Sequence, residues 1–256
     1  MIANYHTHSY HCHHASGKPE EYVEKALENG LKVLGFSDHV PYPFSDGHKS
    51  GFRMDVEETE TYVNEILELR EKYKNRLPIY IGYEAEYYPR EFEAMLKNIC
   101  QYPVDYLICG QHFTRNESDG WYSGTKTDDP AMLRIYNDQL IGAMQTGRFT
   151  YIAHPDLANF TGPDEIYREE TLRLCEASKK YNVPLEYNVL GMSTHRHYPS
   201  DRFWKTVAET DTRVIIGSDA HAPVNVGNPA EYAQARANLA LFGITPIDQT
   251  ELKPVK

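Results

Sequence analysis

The chain has 256 residues, 26 basic and 37 acidic side chains, and a formal charge of −11 with histidine neutral. With 41% hydrophobic and 25% charged residues it can bury a sizeable core, which excludes wholesale disorder. An acidic chain without a basic block repels polyanions, which argues against nucleic acid and anionic membranes as partners. Cys12, Cys100, Cys109 and Cys175 form neither a disulfide framework nor a CxxC pair, a usage suited to a reducing compartment. No charged n-region or apolar h-region opens the sequence, and no apolar run approaches the ~18 residues of a membrane helix. A cytoplasmic location is expected. Of the twelve histidines, five fall within residues 6–14.

In chain order, short apolar runs rich in β-formers alternate with segments of helical periodicity. Strand 2–6 is followed by helix 20–29, which Pro19 opens and Gly30 closes. Strand 33–38 leads to helix 56–74, with Asp55 as its N-cap. Strand 79–84, helix 90–99, strand 106–111 and helix 130–145 come next, the last opened by Pro130. The pattern finishes with strand 151–154, helix 164–180, strand 185–189, helix 201–209, strand 214–218 and helix 230–241. No repeat or linker divides the chain, so a single domain over residues 1–256 is expected, with its core at about 1–241 and a tail at 242–256.

Seven βα units imply a parallel sheet with right-handed crossovers, either open and doubly wound or closed. The predicted strands end in His6-Thr-His8, Asp38-His39, Glu84, His112, His154, Asn188 and Asp219-Ala-His221. A barrel gathers such ends at one mouth, whereas an open sheet spreads them along an edge. An incomplete barrel of seven βα units in one domain is therefore expected.

His6 and His8 share one face at a strand end, and neutral imidazole binds zinc, iron, nickel or copper. Glu84 and Glu86 have the same two-residue spacing, and either carboxylate is able to bridge two ions. His112 and His154 each follow an apolar strand, while Asp219 and His221 repeat the two-residue pattern. Asp38 and His39 point to opposite faces of an ideal strand, so one of them is expected to ligate. His14 is placed to reach back over the mouth. His11 and His13 are expected to face solvent or support the ligands. His48, His195 and His197 lie in loops without a ligand signal.

The order HxH, SDH, GxEAE, strand-end histidine, AHPD and GSDAH resembles the polymerase-and-histidinol-phosphatase (PHP) family, especially its stand-alone histidinol-phosphate phosphatases. The resemblance runs from His6 to about Gly227 and includes Cys12-His-His-Ala-Ser-Gly17, Phe36-Ser-Asp-His-Val-Pro-Tyr-Pro43, Asp105-Tyr-Leu-Ile and Asn188. It implies a single-domain, distorted (β/α)7 barrel with its metal site at the C-terminal mouth of the strands, holding three divalent ions (Zn, Fe or Mn). His6, His8, Glu84 and Asp219 would hold one ion. Glu84 would bridge to a second, completed by His112 and His154, while His14, His39 and His221 would hold the third. It thereby selects Glu84 over Glu86 and adds His14 to the ligands. This chain departs from the related phosphatases in two places. Leu157-Ala-Asn-Phe160 replaces a stretch with a basic residue after AHPD, and Gly191-Met-Ser-Thr-His-Arg196 replaces a Gly-Leu-Arg turn.

The implied reaction is hydrolysis of L-histidinol phosphate to L-histidinol and phosphate by a metal-bridging hydroxide. Hydrolysis of another small phosphate ester or nucleotide is the alternative, and a metal-binding module without turnover is a third reading. An amidohydrolase is disfavoured, because no strand end carries a bridging lysine. Arg53, Arg115 and Arg196 are the candidates to clamp phosphate, with Asn188 as a further substrate contact. The leaving group would take its proton from Asp38, Asp156 or a metal-bound water, and Asp156 could instead orient a ligand histidine. Loop 116–129 is expected to cover the mouth. Three divalent ions would bring the charge to about −5, concentrating the gain where a small phosphorylated substrate binds. The sequence carries no signal for an oligomeric state.

Overall fold

The computed structural model describes residues 2–256, leaving Met1 of the expected domain outside the described residues. In chain order its elements begin with β1 (Ala3–Asn4), α1 (Pro19–Glu28), β2 (Val33–Phe36), α2 (Thr59–Tyr73), β3 (Ile79–Ala85), α3 (Phe92–Ile99) and β4 (Tyr106–Cys109). A hairpin follows, β5 (Phe113–Thr114) and β6 (Trp121–Tyr122), and then α4 (Pro130–Gln145), β7 (Phe149–Ile152) and α5 (Asp164–Tyr181). The chain continues through β8 (Leu185–Asn188), α6 (Val189–Ser193), α7 (Asp201–Ala208), β9 (Val214–Gly217) and α8 (Pro229–Leu241). Every predicted strand and helix has a counterpart. The hairpin and α6 were not expected, since both are too short to show a periodicity.

Strands β1, β2, β3, β4, β7, β8 and β9 pair in parallel in that spatial order. The seam between β9 and β1 is stitched just beyond both strands. His8 N–H donates to the Ala220 carbonyl (2.9 Å) and Ala220 N–H to the His6 carbonyl (3.3 Å). Ser218 N–H donates to Asn4 Oδ1 (2.9 Å), so one buried amide ties β1 to the end of β9. The sheet is therefore a nearly closed seven-stranded barrel, not an open one.

β2 ends before the expected residue 38. Beyond it, Glu84 N–H reaches the carbonyls of both Ser37 (3.0 Å) and Asp38 (3.2 Å), and His39 then pairs with Glu84. This irregularity turns Asp38 towards Ser9 and sets His39 at the mouth, as bulges beside functional sites commonly re-aim side chains.

Two packing layers follow from strand alternation. On β4, Leu107 and Cys109 face the helices, while Tyr106 and Ile108 join Ala3, Tyr5, Tyr151, Ala153 and Ile215 inside the barrel. The segment after α8 closes the N-terminal end of the barrel. Ile247 N–H donates to Val214, Ile247 and Leu252 pack on the inner cluster, and Val255 is buried. Ile247, Leu252 and Val255 of the expected tail thus pack against the barrel.

Tyr106 fills the barrel beneath the mouth, and its hydroxyl lies within hydrogen-bond distance of the Tyr5 (2.7 Å) and Phe36 (2.9 Å) carbonyls. The ring fits because β2 and β3 present Gly35 and Gly82 to it. A Cβ at Gly82 would come 2.4 Å from Tyr106 Cε1. Gly82→Ala should therefore cost about 1–3 kcal/mol through overpacking of a ring that has nowhere to move. Urea denaturation followed by circular dichroism measures this, and an unchanged midpoint would refute the account.

Candidate metal centre

The strand ends bring the nine expected ligands to one mouth. His6 and His8 leave β1, His39 follows β2, Glu84 lies on β3, His112 follows β4, His154 follows β7, and Asp219 and His221 follow β9. His14 returns over the mouth from the 3-10 turn Tyr10–Cys12. His6, His8, His39, Glu84, His154 and Asp219 are buried. His154 and Asp219 adopt positive φ values of 30° and 50°, and strained non-glycine backbone of this kind gathers at functional sites.

Four of these donors close on one point. Glu84 Oε2 lies 3.5 Å from His6 Nε2 and 3.3 Å from His8 Nε2, and Asp219 Oδ1 lies 3.4 Å from each. Donors about 2.0–2.1 Å from a tetrahedral zinc ion stand about 3.3–3.4 Å apart, which matches this spacing. Neither His6 Nε2 nor His8 Nε2 has a hydrogen-bond partner, although both are buried. Glu84 Oε1 faces the other way, 2.8 Å from His154 Nε2 and 3.6 Å from His112 Nε2. His39 Nδ1 is 3.2 Å from Glu84 Oε2, so His39 stands between this group and the His14–His221 pair.

Hydrogen bonds direct the histidine lone pairs. His6 Nδ1 is 2.8 Å from Glu186 Oε1, and His112 Nδ1 is 2.8 Å from Glu86 Oε1. An ionised carboxylate only accepts, so each Nδ1 carries the proton and each Nε2 is left as a lone-pair donor. His14 Nδ1 meets the Cys12 carbonyl (2.8 Å) and His221 Nδ1 the Asp219 carbonyl (3.0 Å). Their Nε2 atoms therefore face each other as lone pairs at 3.0 Å, an arrangement that a shared cation relieves.

The electrostatics also favour a cation. Burial opposes charge on His6, yet Glu186, Asp219 and Glu84 push its pKa up to about 10. His8 is raised in the same way, against burial, by Asp219, Cys12 and Glu84. Burial would raise the Glu84 carboxyl, but His112, His6 and His39 hold it well below the ordinary range. Burial, reinforced by His8, keeps His39 and His221 neutral, with His221 down to about 3. Protons and divalent ions compete for such donor sets, and the residues present fit divalent metal.

The mouth opens into a cavity of about 440 Å³, walled by Phe52, Phe113, Tyr122, Leu157, Leu190 and Tyr198 above the ligands. Phe113 and Tyr122 belong to the β5–β6 hairpin, so the hairpin lies against the mouth where loop 116–129 was expected to. Arg196 is the one guanidinium lining this cavity, with Nη1 donating to the Tyr198 hydroxyl (2.8 Å).

Other expected site residues sit elsewhere. Arg53 is buried, with its donors taken by Glu86, Glu117 and the Val40 carbonyl, and so is closed to a phosphate. Arg115 is exposed beside Tyr87 and Gln139, outside the cavity. Asn188 is fully engaged, donating to Glu186 (2.9 Å) and Asp219 (3.1 Å) and accepting from Gly191 N–H (2.8 Å). It braces a ligand and caps α6 instead of meeting substrate. Asp38 accepts from Ser9 N–H (2.8 Å) and Asp156 from Ser200 N–H (2.7 Å), and neither lines the cavity. Burial raises both carboxyls, that of Asp156 to about 7.

The sequence reading overlooked Glu186. Besides His6 and Asn188, it accepts from His154 N–H (3.0 Å), so one buried carboxylate orients two ligand positions. Its signal was a charge two residues before Asn188 inside an otherwise apolar strand. Glycines make room for these acids. A Cβ at Gly217 would stand 1.8 Å from Glu186 Oε1, and one at Gly110 would stand 1.8 Å from Glu84 Oε1.

The sequence pattern of the PHP domain matches residues 4–190. A Deinococcus radiodurans protein named "Probable histidinol-phosphatase" is 30% identical over 237 residues, covering 88% of each chain. A Schizosaccharomyces pombe protein of the same name is 25% identical, covering 99% of this chain and 91% of its own. Among solved structures, the Lactococcus lactis histidinol phosphate phosphatase, complexed with zinc, L-histidinol and phosphate, superposes with a TM-score of 0.72. At 19% identity over 96% of this chain and 95% of that one, it shows the shared barrel fold. By its sequence, this chain belongs to the PHP domain family.

Proposed function

We propose that this chain is a metal-dependent phosphatase that hydrolyses L-histidinol phosphate to L-histidinol and phosphate. The observation that carries the reading is the convergence of His6 Nε2, His8 Nε2, Glu84 Oε2 and Asp219 Oδ1 at 3.3–3.5 Å beneath an arginine-bearing cavity. We assign three ions, zinc, iron or manganese, to the groups His6–His8–Glu84–Asp219, Glu84–His112–His154 and His14–His39–His221. Divalent ions there would supply a nucleophilic hydroxide at neutral pH and neutralise phosphoryl oxygens.

The chain's own residues do the rest. Glu84 spans the first two groups with its two oxygens, and Glu186 and Glu86 fix the rings of His6 and His112. Arg196 gives the cavity a fixed positive charge for the phosphoryl group. The stretch Leu157-Ala-Asn-Phe160, which replaces one with a basic residue in related phosphatases, carries no charge, and its Phe160 is buried against Tyr167. The cationic role on the wall therefore rests with Arg196. Phe52, Phe113 and Tyr122 offer apolar ring faces to a leaving group that carries an aromatic ring, such as the imidazole-bearing histidinol. Among the described residues no helix is long and apolar enough to cross a membrane. The four cysteines are unpaired, which supports placing the enzyme in the cytoplasm.

Glu84→Ala should lose metal and hydrolysis together, as read by elemental analysis and phosphate release. A fully active variant would contradict the bridging role. Glu186→Gln should keep the fold and bind zinc roughly 10–100-fold more weakly in chelator competition. Parental affinity would show that His6 needs no such support.

For the substrate, the enzyme loaded with zinc, manganese or iron is to be assayed on L-histidinol phosphate, other small phosphomonoesters and a phosphodiester. L-Histidinol phosphate should show the highest kcat/KM. A better aliphatic ester would keep the phosphatase and discard the substrate. Arg196→Ala should lower kcat/KM roughly 10- to 100-fold on every monoester, the cost of one charged hydrogen bond. An unaffected variant would remove Arg196 from the phosphate site.

A further inference from the structure

We propose that Arg53 is a positioning residue that couples the β5–β6 hairpin to the His112 side of the metal centre. Arg53 lies on the loop between β2 and α2, is 2% exposed, and stacks over the Phe52 ring at 4.4 Å. Its Nη2 donates to Glu86 Oε1 (3.0 Å) and to Glu117 Oε2 (2.6 Å), Nε donates to Glu117 Oε2 (3.1 Å), and Nη1 donates to the Val40 carbonyl (3.0 Å). The two carboxylates belong to different parts of the fold. Glu86 follows β3, and its Oε1 also accepts from His112 Nδ1. Glu117 lies in the turn joining β5 to β6, the hairpin that carries Phe113 and Tyr122 on the cavity wall.

One planar fork therefore holds a barrel carboxylate and a hairpin carboxylate at once. Arg53 holds the buried Glu86 carboxylate in place, and Glu86 in turn orients the His112 ring through Nδ1. A displacement of the hairpin shifts Glu117, loosens one side of the fork, and is felt at Glu86. A lysine ammonium is a point charge and lacks this span, so it reproduces the charge without the bridge.

The test uses the full-length chain with Arg53→Lys, Glu86→Gln, Glu117→Gln and the Arg53→Lys/Glu117→Gln pair. Zinc affinity is measured by chelator competition, the ligand field by cobalt(II) absorption, and hairpin opening by hydrogen exchange of residues 113–122. Glu86→Gln should weaken the most weakly held ion about 10–100-fold, alter the cobalt spectrum and, because the coupling is reciprocal, speed hairpin exchange less than Glu117→Gln does. Glu117→Gln should speed hairpin exchange and weaken that same ion several-fold, although Glu117 touches no ligand. Arg53→Lys should do both, and the pair should be no worse than Arg53→Lys alone. Parental zinc affinity in Glu117→Gln overturns the coupling, and that variant decides the matter if Arg53→Lys does not fold. Additive effects in the pair would also overturn it. None of these readouts needs a substrate, so the coupling and the phosphatase assignment can fail separately.

Discussion

The structure is organised around a carboxylate that would be costly to bury alone. Glu84 is 1% exposed, and an ionised carboxylate withdrawn from water carries a penalty of several kcal/mol unless charge and hydrogen bonds answer it. Here five imidazoles answer it, three around one oxygen and two around the other. That demand reaches outward through the barrel. β4 must run into a glycine at 110 to clear the Glu84 side chain, and the strands on either side must deliver histidines at the same height. The Thr7–Ala220 seam then has to close for His6, His8 and Asp219 to meet.

Beneath this layer the barrel is filled by side chains. Tyr5, Tyr106 and Tyr151 fill it, and their bulk keeps water from reaching the carboxylates from below. Lowering the local dielectric strengthens each charged contact above and makes each unpaired one more expensive. The site therefore leaves little to chance. Four histidines have their Nδ1 protons committed, two to carboxylates and two to backbone carbonyls. Their Nε2 atoms are aimed before anything binds, so little rearrangement of the rings is left for the moment of binding.

Much of this was legible in the sequence because strand alternation is a local rule. HxH, GxEAE and SDAH each place side chains two residues apart, and the βα order sends all of them to one end. Residues whose role depends on partners distant in sequence were harder to read. Arg53 looks like a phosphate clamp when only its place after the second strand is known. Nothing local shows that Glu86 and Glu117 saturate it. Asn188 was read as a substrate contact for the same reason, its three partners being set by the fold. Glu186 went unnoticed because a lone charge in a short strand ordinarily faces solvent, and only barrel closure turns it inward. Asp38 and His39 illustrate the limit well. Adjacent residues on an ideal strand point apart, and it took the backbone irregularity opposite Glu84 to decide which entered the mouth.

Charge balance gives the site an order of events. Glu84 and Asp219 line the mouth with Glu86, Glu117 and Glu186 behind them, and among the described residues Arg196 is the one arginine on the cavity wall, with Arg53 behind it. Arg53 is already consumed by two of the acids. A phosphate dianion approaching the bare protein would meet a repulsive field from a chain that is also acidic overall. Divalent ions held there would reverse that sign locally, and a phosphate bound to them would in turn hold them more firmly, because linkage makes such coupling reciprocal. The acidic, histidine-rich mouth is thus a cation site first and becomes an anion site only through what it has bound. A surface of charge −11 can therefore serve a phosphorylated substrate without a basic patch anywhere along the sequence.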